Sequence, residues 1–325
     1  MSSGGRFLIV GGAGFIGSHF TDHLLGPGGA AGVTLYDNFS SGKEWHYAHH
    51  GADARLRVVR ADAADLDALC AAMTGHDVVI HLASNPDIAA AMTDPDIDFR
   101  QGTVLTRNVA EAMRRTGTRR ILYASGSGIY GDLGEREAHE DHGPLIPVSP
   151  YGASKLAGEA LLSAYAAMFD LRAVVFRFGN VVGPRQTHGV GFDFIRRLRQ
   201  DPTRLRILGD GMQSKSYIHV SDVVAAVLLA HARVTDPFRA FNVATGDYIT
   251  VRDIAEVAVE CAGLTAGSVT YELTGGRGGW KGDVPVIRLN TDRIRALGWT
   301  CSRGCRDALR DAMNAMRREL DEGHA

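Results

Sequence analysis

Short apolar runs alternate with helical stretches through the first half of this 325-residue chain. The runs RFLIVGG, GVTLYDN, RLRVVRAD, DVVIHLAS, RRILYASG and LRAVVFRFGN have the composition of buried strands, and stretches such as DLDALCAAM and TRNVAEAMRRTG have helical spacing. Strands that are apolar throughout and alternate with helices are typical of a parallel sheet covered on both faces. The alternation therefore predicts an α/β fold with a doubly wound parallel sheet.

The pattern is weaker after Asn180, where Gly-rich loops such as VVGPRQTHGVG and LTGGRGGWKGDVP contain few strand signals. One strand, KSYIHV, and one helix, SDVVAAVLLAHAR, return to the earlier pattern. We therefore predict two domains. The first comprises 1–179 with about 215–245, and the second, smaller and discontinuous, comprises about 180–214 and 246–325.

The composition is that of an ordinary globular protein, with 45% hydrophobic residues, 22% charged residues and a net charge of −2. This balance gives no basic field that would attract nucleic acid or an anionic membrane. No apolar run approaches the ~18 residues that span a bilayer, and residues 1–6 lack a signal-peptide pattern, so we expect a cytoplasmic protein. The four cysteines are too scattered for a disulfide framework, and no metal site is predicted.

A glycine-rich turn, VGGAGFIGSH, follows the first strand and opens the first helix. Gly11, Gly14 and Gly17 let the backbone turn sharply against a pyrophosphate, and the helix N-terminus offers it free N–H groups. Asp37 stands twenty residues beyond Gly17, where a carboxylate binds an adenosine ribose and repels a 2′-phosphate. The set predicts a Rossmann-type domain that binds NAD rather than NADP, although an acid beside Asn38 is also typical of a plain turn.

Tyr151 and Lys155 occur in SPYGASKLAGEALL, four residues apart on one face of a predicted helix. A phenol with a pKa of about 10 is a poor base at neutral pH, and lowering that pKa by about three units requires roughly 4 kcal/mol. A nearby ammonium favours the phenolate, and the positive charge of a nicotinamide adds to that effect. The pair predicts acid–base catalysis beside a nicotinamide, although the spacing alone recurs by chance on helices.

Further motifs occur in a fixed order: GGAGFIG, YDNFSSGK, HLAS, IYGD, SPYGASK, RFGNVVGPRQ, GDGMQSKSYIHVSDVV and LGW. In this set the chain resembles the extended short-chain dehydrogenases/reductases over nearly its whole length. It is most similar to their NAD-dependent epimerases and dehydratases, above all the NDP-sugar 4-epimerases. The resemblance implies an enzyme that uses NAD and takes a nucleotide-diphosphate sugar as its substrate. Such enzymes commonly pair two helices, here about 103–116 and 151–168, across a twofold axis, so a homodimer is implied.

Carried over residue by residue, the resemblance implies two sets of binding residues. The first set, at NAD, comprises Gly11, Gly14, Phe15, Ile16, Gly17, Asp37, Asn38, Ser41, Gly42, Asp62, Ala63, Leu82, Ala83, Ser84, Tyr151 and Lys155. The second set, at the sugar nucleotide, comprises Asn85, Ser127, Asn180 and Lys215. Arg185, Arg277 and Lys281 are further candidates, the last two because GGRGGWKGDVP is unusual in the segment that normally brings an Arg to the diphosphate.

The chain departs from the family pattern beside the catalytic pair. The family normally has Ser or Thr as a third polar catalytic group at the position that Gly126 occupies here, between Ser125 and Ser127. We favour Ser127 as the replacement, and the alternatives are Ser125, a water molecule or a group of the substrate. In the second half, Lys215 replaces the usual Arg and loses its bidentate fork to phosphate.

The resemblance leaves several reactions open, of which inversion at C4 through a 4-keto sugar is the one we predict. A 4,6-dehydratase of this family carries an adjacent Asp and Glu where Ser127 and Gly128 stand here, which argues against dehydration. A decarboxylase needs no such pair and is harder to exclude. A non-catalytic dinucleotide sensor would not need Tyr151 and Lys155, so the presence of both argues against a sensor. An NADP-dependent carbonyl reductase is disfavoured by Asp37.

Overall fold

The computed structural model describes residues 4–279 and 282–324. The strands are β1 Arg6–Val10, β2 Gly32–Asp37, β3 Leu56–Arg60, β4 Val78–His81, β5 Arg120–Gly126, β6 Glu137–Ala138, β7 Arg172–Phe178, β8 Asn180–Val182, β9 Arg204–Ile207, β10 Ser214–Lys215, β11 Tyr217–His219, β12 Phe238–Val243, β13 Ile249–Thr250, β14 Thr270–Leu273 and β15 Arg288–Leu289. The helices are α1 Phe15–Leu25, α2 Leu66–Met73, α3 Leu105–Thr116, α4 Pro150–Phe169, α5 Val190–Gln200, α6 Val220–Arg233, α7 Val251–Cys261, α8 Asp292–Arg295 and α9 Cys305–Asp321. Within the described ranges, no helix is long and apolar enough to cross a membrane.

The central sheet has seven strands in the order β12-β7-β5-β4-β1-β2-β3. β1 pairs in parallel with β2 and β4, β2 with β3, and β4 with β5. The order 3-2-1-4-5 reverses between β1 and β4, which is the switch point where doubly wound sheets bind their ligands. The predicted Rossmann-type α/β fold is confirmed.

The chain divides into two compact units. The first comprises 1–129, 150–177 and 224–241, and the second comprises 130–149, 178–223 and 242–325. Residues 130–149, which were predicted to belong to the first domain, lie in the second unit, and so do 215–223 and 242–245 at the two ends of the predicted segment 215–245. The assignment of NAD to one domain and of the sugar nucleotide to the other stays a prediction.

Each unit has its own core. In the first, Leu8 of β1 and Val79 of β4 pack with Val109 and Met113 of α3, all at 1% exposure or less. The basic last turn of α3 ends at Gly117, whose φ of 77° closes the helix in the left-handed region. In the second unit, α5, α7 and α9 pack through a cluster of their own, and α7 begins with a capping box formed by Thr250 and Asp253.

Candidate active site

The glycine-rich turn joins β1 to α1 where close backbone contacts exclude side chains. Gly11 has a φ of 82°, and a Cβ there would lie 2.7 Å from the backbone nitrogen of Ala83. A Cβ on Gly17 would lie 2.6 Å from the carbonyl oxygen of Gly12. Among the described residues no side chain caps α1 at Gly14, so the N–H groups of its first turn can bind an anion. The turn therefore fits a dinucleotide pyrophosphate.

Asp37 ends β2 beside this turn and is buried. Its Oδ2 accepts a hydrogen bond from the Ala13 nitrogen at 2.9 Å, and its Oδ1 accepts one from the Phe39 nitrogen at 2.8 Å. Burial raises the pKa of this carboxyl, and the two N–H groups and the charge of Arg60 oppose the shift. A Cβ on Gly42 would lie 2.9 Å from Asp37 Oδ1, so the next loop passes directly over the carboxylate. Ribose recognition by this fixed carboxylate stays a prediction.

Other residues predicted at NAD lie near the carboxyl ends of β1 to β4. Asn38 donates from Nδ2 to Asp62 Oδ2 at 2.9 Å, which brings these two predicted residues together. The backbone nitrogens of Leu82 and Ala83 both donate to the carbonyl oxygen of Val10, at 2.9 and 3.0 Å. Of the rest, Phe15 is buried and Ile16 half-buried in the first turn of α1, Ser41 is exposed after β2, and Ala63 is buried after β3.

Tyr151 and Lys155 lie in the first turns of α4, as predicted from their spacing. The Lys155 Nζ is 5.5 Å from the centroid of the Tyr151 ring and donates to the carbonyl oxygen of Ala124 at 2.8 Å. Lys155 is 3% exposed, whereas Tyr151 is half-buried. Ser84, another residue predicted at NAD, is hydrogen-bonded to Tyr151. The structure thus brings the ammonium, the phenol and the loop after β4 to one place.

The protein around the pair does not lower the pKa of the phenol by itself. Burial raises the pKa of Tyr151 to about 12, with a contribution from the charge of Asp98 and against the hydrogen bond from Ser84. Burial lowers the pKa of Lys155 to about 8, and Asp98 opposes that shift. The sequence predicts that Lys155 and a nicotinamide lower the pKa of Tyr151 together. The residues alone keep Tyr151 protonated at neutral pH, so further positive charge is needed to form the phenolate.

At the end of β5, the two serines that flank Gly126 have different surroundings. The Ser125 Oγ is buried and donates to Glu159 Oε1 at 2.5 Å. A Cβ on Gly126 would have only Tyr151 Cε1 as a neighbour among the described residues, at 4.0 Å, so this position faces the phenol across open space. Since successive strand residues point to opposite faces, Ser125 points away from the phenol. Ser127 begins the short 3₁₀ helix Ser127–Tyr130, half-buried.

Two residues near the pair were not predicted from the sequence. Asp98 is 1% exposed, and its Oδ1 accepts a hydrogen bond from Asn85 Nδ2 at 3.0 Å. The same Nδ2 donates to the carbonyl oxygen of Asp87 at 2.7 Å, so both of its hydrogen bonds go to protein groups. The predicted sugar contact of Asn85 stays a prediction. His81 is fully buried, with its Nε2 3.1 Å from Thr106 Oγ1. The HLAS motif contains His81 and is a sequence signal for it, whereas no motif contains Asp98.

In the second unit, two of the predicted sugar-nucleotide residues have defined partners. Asn180 begins β8, and its Nδ2 donates to the carbonyl oxygen of Ser216 at 3.3 Å. The Nζ of Lys215, at the end of β10, donates to Asp283 Oδ1 at 2.5 Å. A diphosphate that binds Lys215 therefore has to compete with a carboxylate.

The remaining predicted residues of this unit lie in loops. Arg185 has a φ of 66°, and its backbone nitrogen donates to Glu319 Oε1 at 2.8 Å. Arg277 is exposed after β14, and Lys281 lies outside the described residues. The role of these residues toward a substrate stays a prediction.

One group of potential metal ligands occurs within the described ranges, away from the catalytic pair. Asp22 Oδ1 lies 2.7 Å from His49 Nε2 and 2.8 Å from His50 Nε2. These distances are those of hydrogen bonds between the side chains, which account for the arrangement without a metal.

The family model for the NAD dependent epimerase/dehydratase family matches residues 7–244. The chain belongs to this family. A UDP-glucose 4-epimerase of Mycolicibacterium smegmatis is 35% identical over 306 residues, which cover 90% of this chain and 93% of the relative. A dTDP-glucose 4,6-dehydratase of Streptomyces griseus is 32% identical over 269 residues, which cover 82% and 81%. The solved structure of the Thermus thermophilus UDP-glucose 4-epimerase in complex with NAD superposes with a TM-score of 0.83 at 32% identity, covering 96% and 99% of the two chains.

Membership confirms the predicted family and NAD as the cofactor. The residues present fit that cofactor, because the glycine turn admits a pyrophosphate and Asp37 is held beside it. The relatives include both epimerases and dehydratases, so membership alone does not specify the reaction.

Proposed function

We propose that this protein inverts C4 of a nucleotide-diphosphate sugar through a transient 4-keto intermediate. The observation that carries the proposal is the chemistry at the start of α4: the phenol of Tyr151, the buried ammonium of Lys155, and open space at Gly126. Inversion needs one acid–base group at the C4 oxygen and one hydride acceptor. The proposal also includes a cytoplasmic location and, as the resemblance implies, a homodimer.

The residues have separate roles in this reaction. Bound NAD supplies the hydride acceptor for the hydrogen on C4. Tyr151 takes the proton of the C4 hydroxyl and returns it after the keto sugar has turned over. Lys155, fixed by Ala124, supplies positive charge to the phenolate and holds the cofactor ribose. Ser127 donates a hydrogen bond to the C4 oxygen, the role for which Gly126 has no side chain.

The sugar nucleotide is expected to bind through Asn180, Arg185, Lys215 and Arg277, with Lys281 as a further candidate. Lys215 supports this assignment as a half-buried cation, and the diphosphate has to compete with Asp283 for its ammonium. Its single ammonium gives a point-charge contact to the diphosphate in place of a bidentate one.

Dehydration is the second candidate, because a dTDP-glucose 4,6-dehydratase is among the relatives. A dehydratase must remove the C5 proton and expel a hydroxyl, which requires further acid–base groups at the sugar. Ser127 and Gly128 occupy the positions of the paired acids, and neither can transfer those protons. This difference favours epimerisation.

The experiment is a panel of UDP-, GDP-, TDP-, CDP- and ADP-sugars, followed by mass spectrometry and NMR. Unchanged mass with inversion at C4 is the expected result. Loss of water would instead identify a dehydratase, and loss of carbon dioxide a decarboxylase. Tyr151→Phe provides the matched control, since it retains the ring and removes the acid–base hydroxyl.

A further inference from the structure

Asp98 is a buried carboxylate beside the catalytic helix with unused hydrogen-bonding capacity. It immediately precedes the π-helical turn Phe99–Val104. Its Oδ1 accepts from Asn85, whereas its Oδ2 is buried without a hydrogen-bond partner in the described part of the chain. Burying a charged carboxylate in this way is costly unless another charge compensates it. The position of Asp98 therefore calls for a nearby cation.

Two contacts place Asp98 near the catalytic pair. The π-helical turn packs tightly on α4, because a Cβ on Gly102 would lie 2.6 Å from Ser154 Oγ, next to Lys155. Asn85, the partner of Asp98, directly follows Ser84, which is hydrogen-bonded to Tyr151. Asp98 is thus fixed between the loop after β4 and the first turns of α4.

Lys155 is a buried cation on α4, the helix against which the π-helical turn packs. Its ammonium is buried and forms no ion pair within hydrogen-bonding distance among the described residues. The other titratable side chains that face it carry no opposing charge. Burial lowers the pKa of His81 to about 3, so this ring is neutral, and Tyr123, whose ring centroid is 5.4 Å from Nζ, has its pKa raised by burial. Asp98 is the acidic group that interacts with Lys155.

We propose that Asp98 is a positioning residue that keeps Lys155 protonated inside the protein. Its negative charge also disfavours the Tyr151 phenolate, so Asp98 raises the pKa of both members of the pair. Removing that charge should lower the pKa of Lys155 and the pKa of Tyr151 together. The effect on turnover rests on the proposed function, whereas the effect on Lys155 does not.

The small number of lysines makes the test direct, since the chain contains only Lys43, Lys155, Lys215 and Lys281. Protein labelled with ¹³C at the lysine ε carbons gives four signals, and Lys155→Arg identifies the one from Lys155. This signal is then titrated with pH in the wild type and in Asp98→Asn. Asp96→Asn is the matched control, because Asp96 is an exposed acid two residues away.

The wild-type pKa of Lys155 should be about 8, and in Asp98→Asn it should fall by about one pH unit or more. Asp96→Asn should leave the pKa of Lys155 unchanged. An equal pKa of Lys155 in Asp98→Asn and the wild type would overturn the proposal. If Asp98→Asn does not fold, Asp98→Ser removes the same charge with a smaller side chain, and the same two outcomes apply.

Turnover gives a separate readout once a substrate is known. Asp98→Asn should move both limbs of the pH profile of kcat to lower pH, whereas a purely structural role would reduce kcat without moving them. A shifted Lys155 titration in a protein that converts no sugar nucleotide would support the role of Asp98 and refute the proposed function. An unshifted titration in an active epimerase would refute the role of Asp98 and support the proposed function.

Discussion

Tyr151 is the residue on which the proposed chemistry depends. Tyr151→Phe retains the ring and the packing at the start of α4 but removes the hydroxyl that exchanges a proton with the sugar. Turnover should fall by about 10²-fold or more, the scale of a lost general base, with NAD affinity and thermal stability retained. Steady-state kinetics and calorimetry measure these effects. Near-normal turnover in Tyr151→Phe would contradict the mechanism.

The two serines beside Gly126 should respond differently to substitution. Ser127 follows β5 at the start of the 3₁₀ helix Ser127–Tyr130, whereas the Ser125 hydroxyl is bound to Glu159. Ser127→Ala should lower kcat by about 10-fold or more through loss of a donor to the C4 oxygen, allowing for partial rescue by water. Ser125→Ala should mainly lower the unfolding free energy, by about 1–3 kcal/mol, because it removes a buried hydrogen bond to a charged carboxylate.

Kinetics and urea unfolding of the two serine variants separate these roles. Gly126→Ser extends the comparison, because its side chain would enter the open space in front of Tyr151. Higher activity in Gly126→Ser would mean that the site lacks only a hydroxyl, and weaker binding would mean that the substrate uses this space. A silent Ser127→Ala with a severe catalytic loss in Ser125→Ala would show that the assignment is reversed.

Residues whose chemistry requires a fixed spacing along the chain could be predicted from the sequence. Gly11, Asp37, Tyr151 and Lys155 belong to this class, because one turn or one helix fixes their mutual positions. Asp98 does not, since folding brings it to Asn85 and to Lys155 from different elements. The raised pKa of Tyr151 was likewise not predicted, because it depends on burial and on the charge of that same acid.

At the scale of elements, a buried ion pair joins the catalytic helix to the sheet. Arg177 of β7 donates from Nη2 to Glu159 Oε2 of α4 at 2.7 Å, and both residues are about 5% exposed or less. Arg177→Met leaves the Glu159 charge buried without compensation, so the free energy of unfolding should fall by about 3–5 kcal/mol. Urea unfolding measures this change.

Arg172→Met is the control for that prediction, because Arg172 lies at the other, exposed end of β7. Its effect on the unfolding free energy should stay within about 0.5 kcal/mol. If Arg177→Met had as small an effect as Arg172→Met, the ion pair between α4 and β7 would not contribute to the free energy of unfolding as predicted.

The elements themselves were predictable where their hydrophobic pattern reflects burial. β1, β2, β4, β5 and β7 are apolar because helices cover both faces of the sheet, and each corresponds to a predicted strand. The run KSYIHV was predicted as one strand, but the structure divides it into β10 and β11 at Ser216. Ser216 is buried and its hydroxyl lies 2.7 Å from Thr245 Oγ1, a contact that the local sequence does not indicate. The π-helical turn before α3 also has no local signal.

At the scale of the whole molecule, we predict a homodimer formed through α3 and α4. Met168 and Phe169, at the end of α4, are 73% and 37% exposed in the single chain, as expected for residues that a second subunit covers. Light scattering at micromolar concentration should give about twice the chain mass of 34.9 kDa. Met168→Asp should weaken the dimer, whereas Met212→Asp, at a methionine that is 61% exposed in the second unit, should not. A monomeric wild type would refute this prediction.

The path of the hydrogen on C4 tests the central claim most directly. The sugar nucleotide that the panel identifies is deuterated at C4 and incubated with the enzyme, and a second incubation uses unlabelled substrate in D₂O. Inversion by removal and return of one hydride predicts that the deuterium remains at C4 of the epimer, with no solvent deuterium at C5 and no change in mass. Loss of deuterium from C4 together with solvent deuterium at C5 and loss of water would contradict the account.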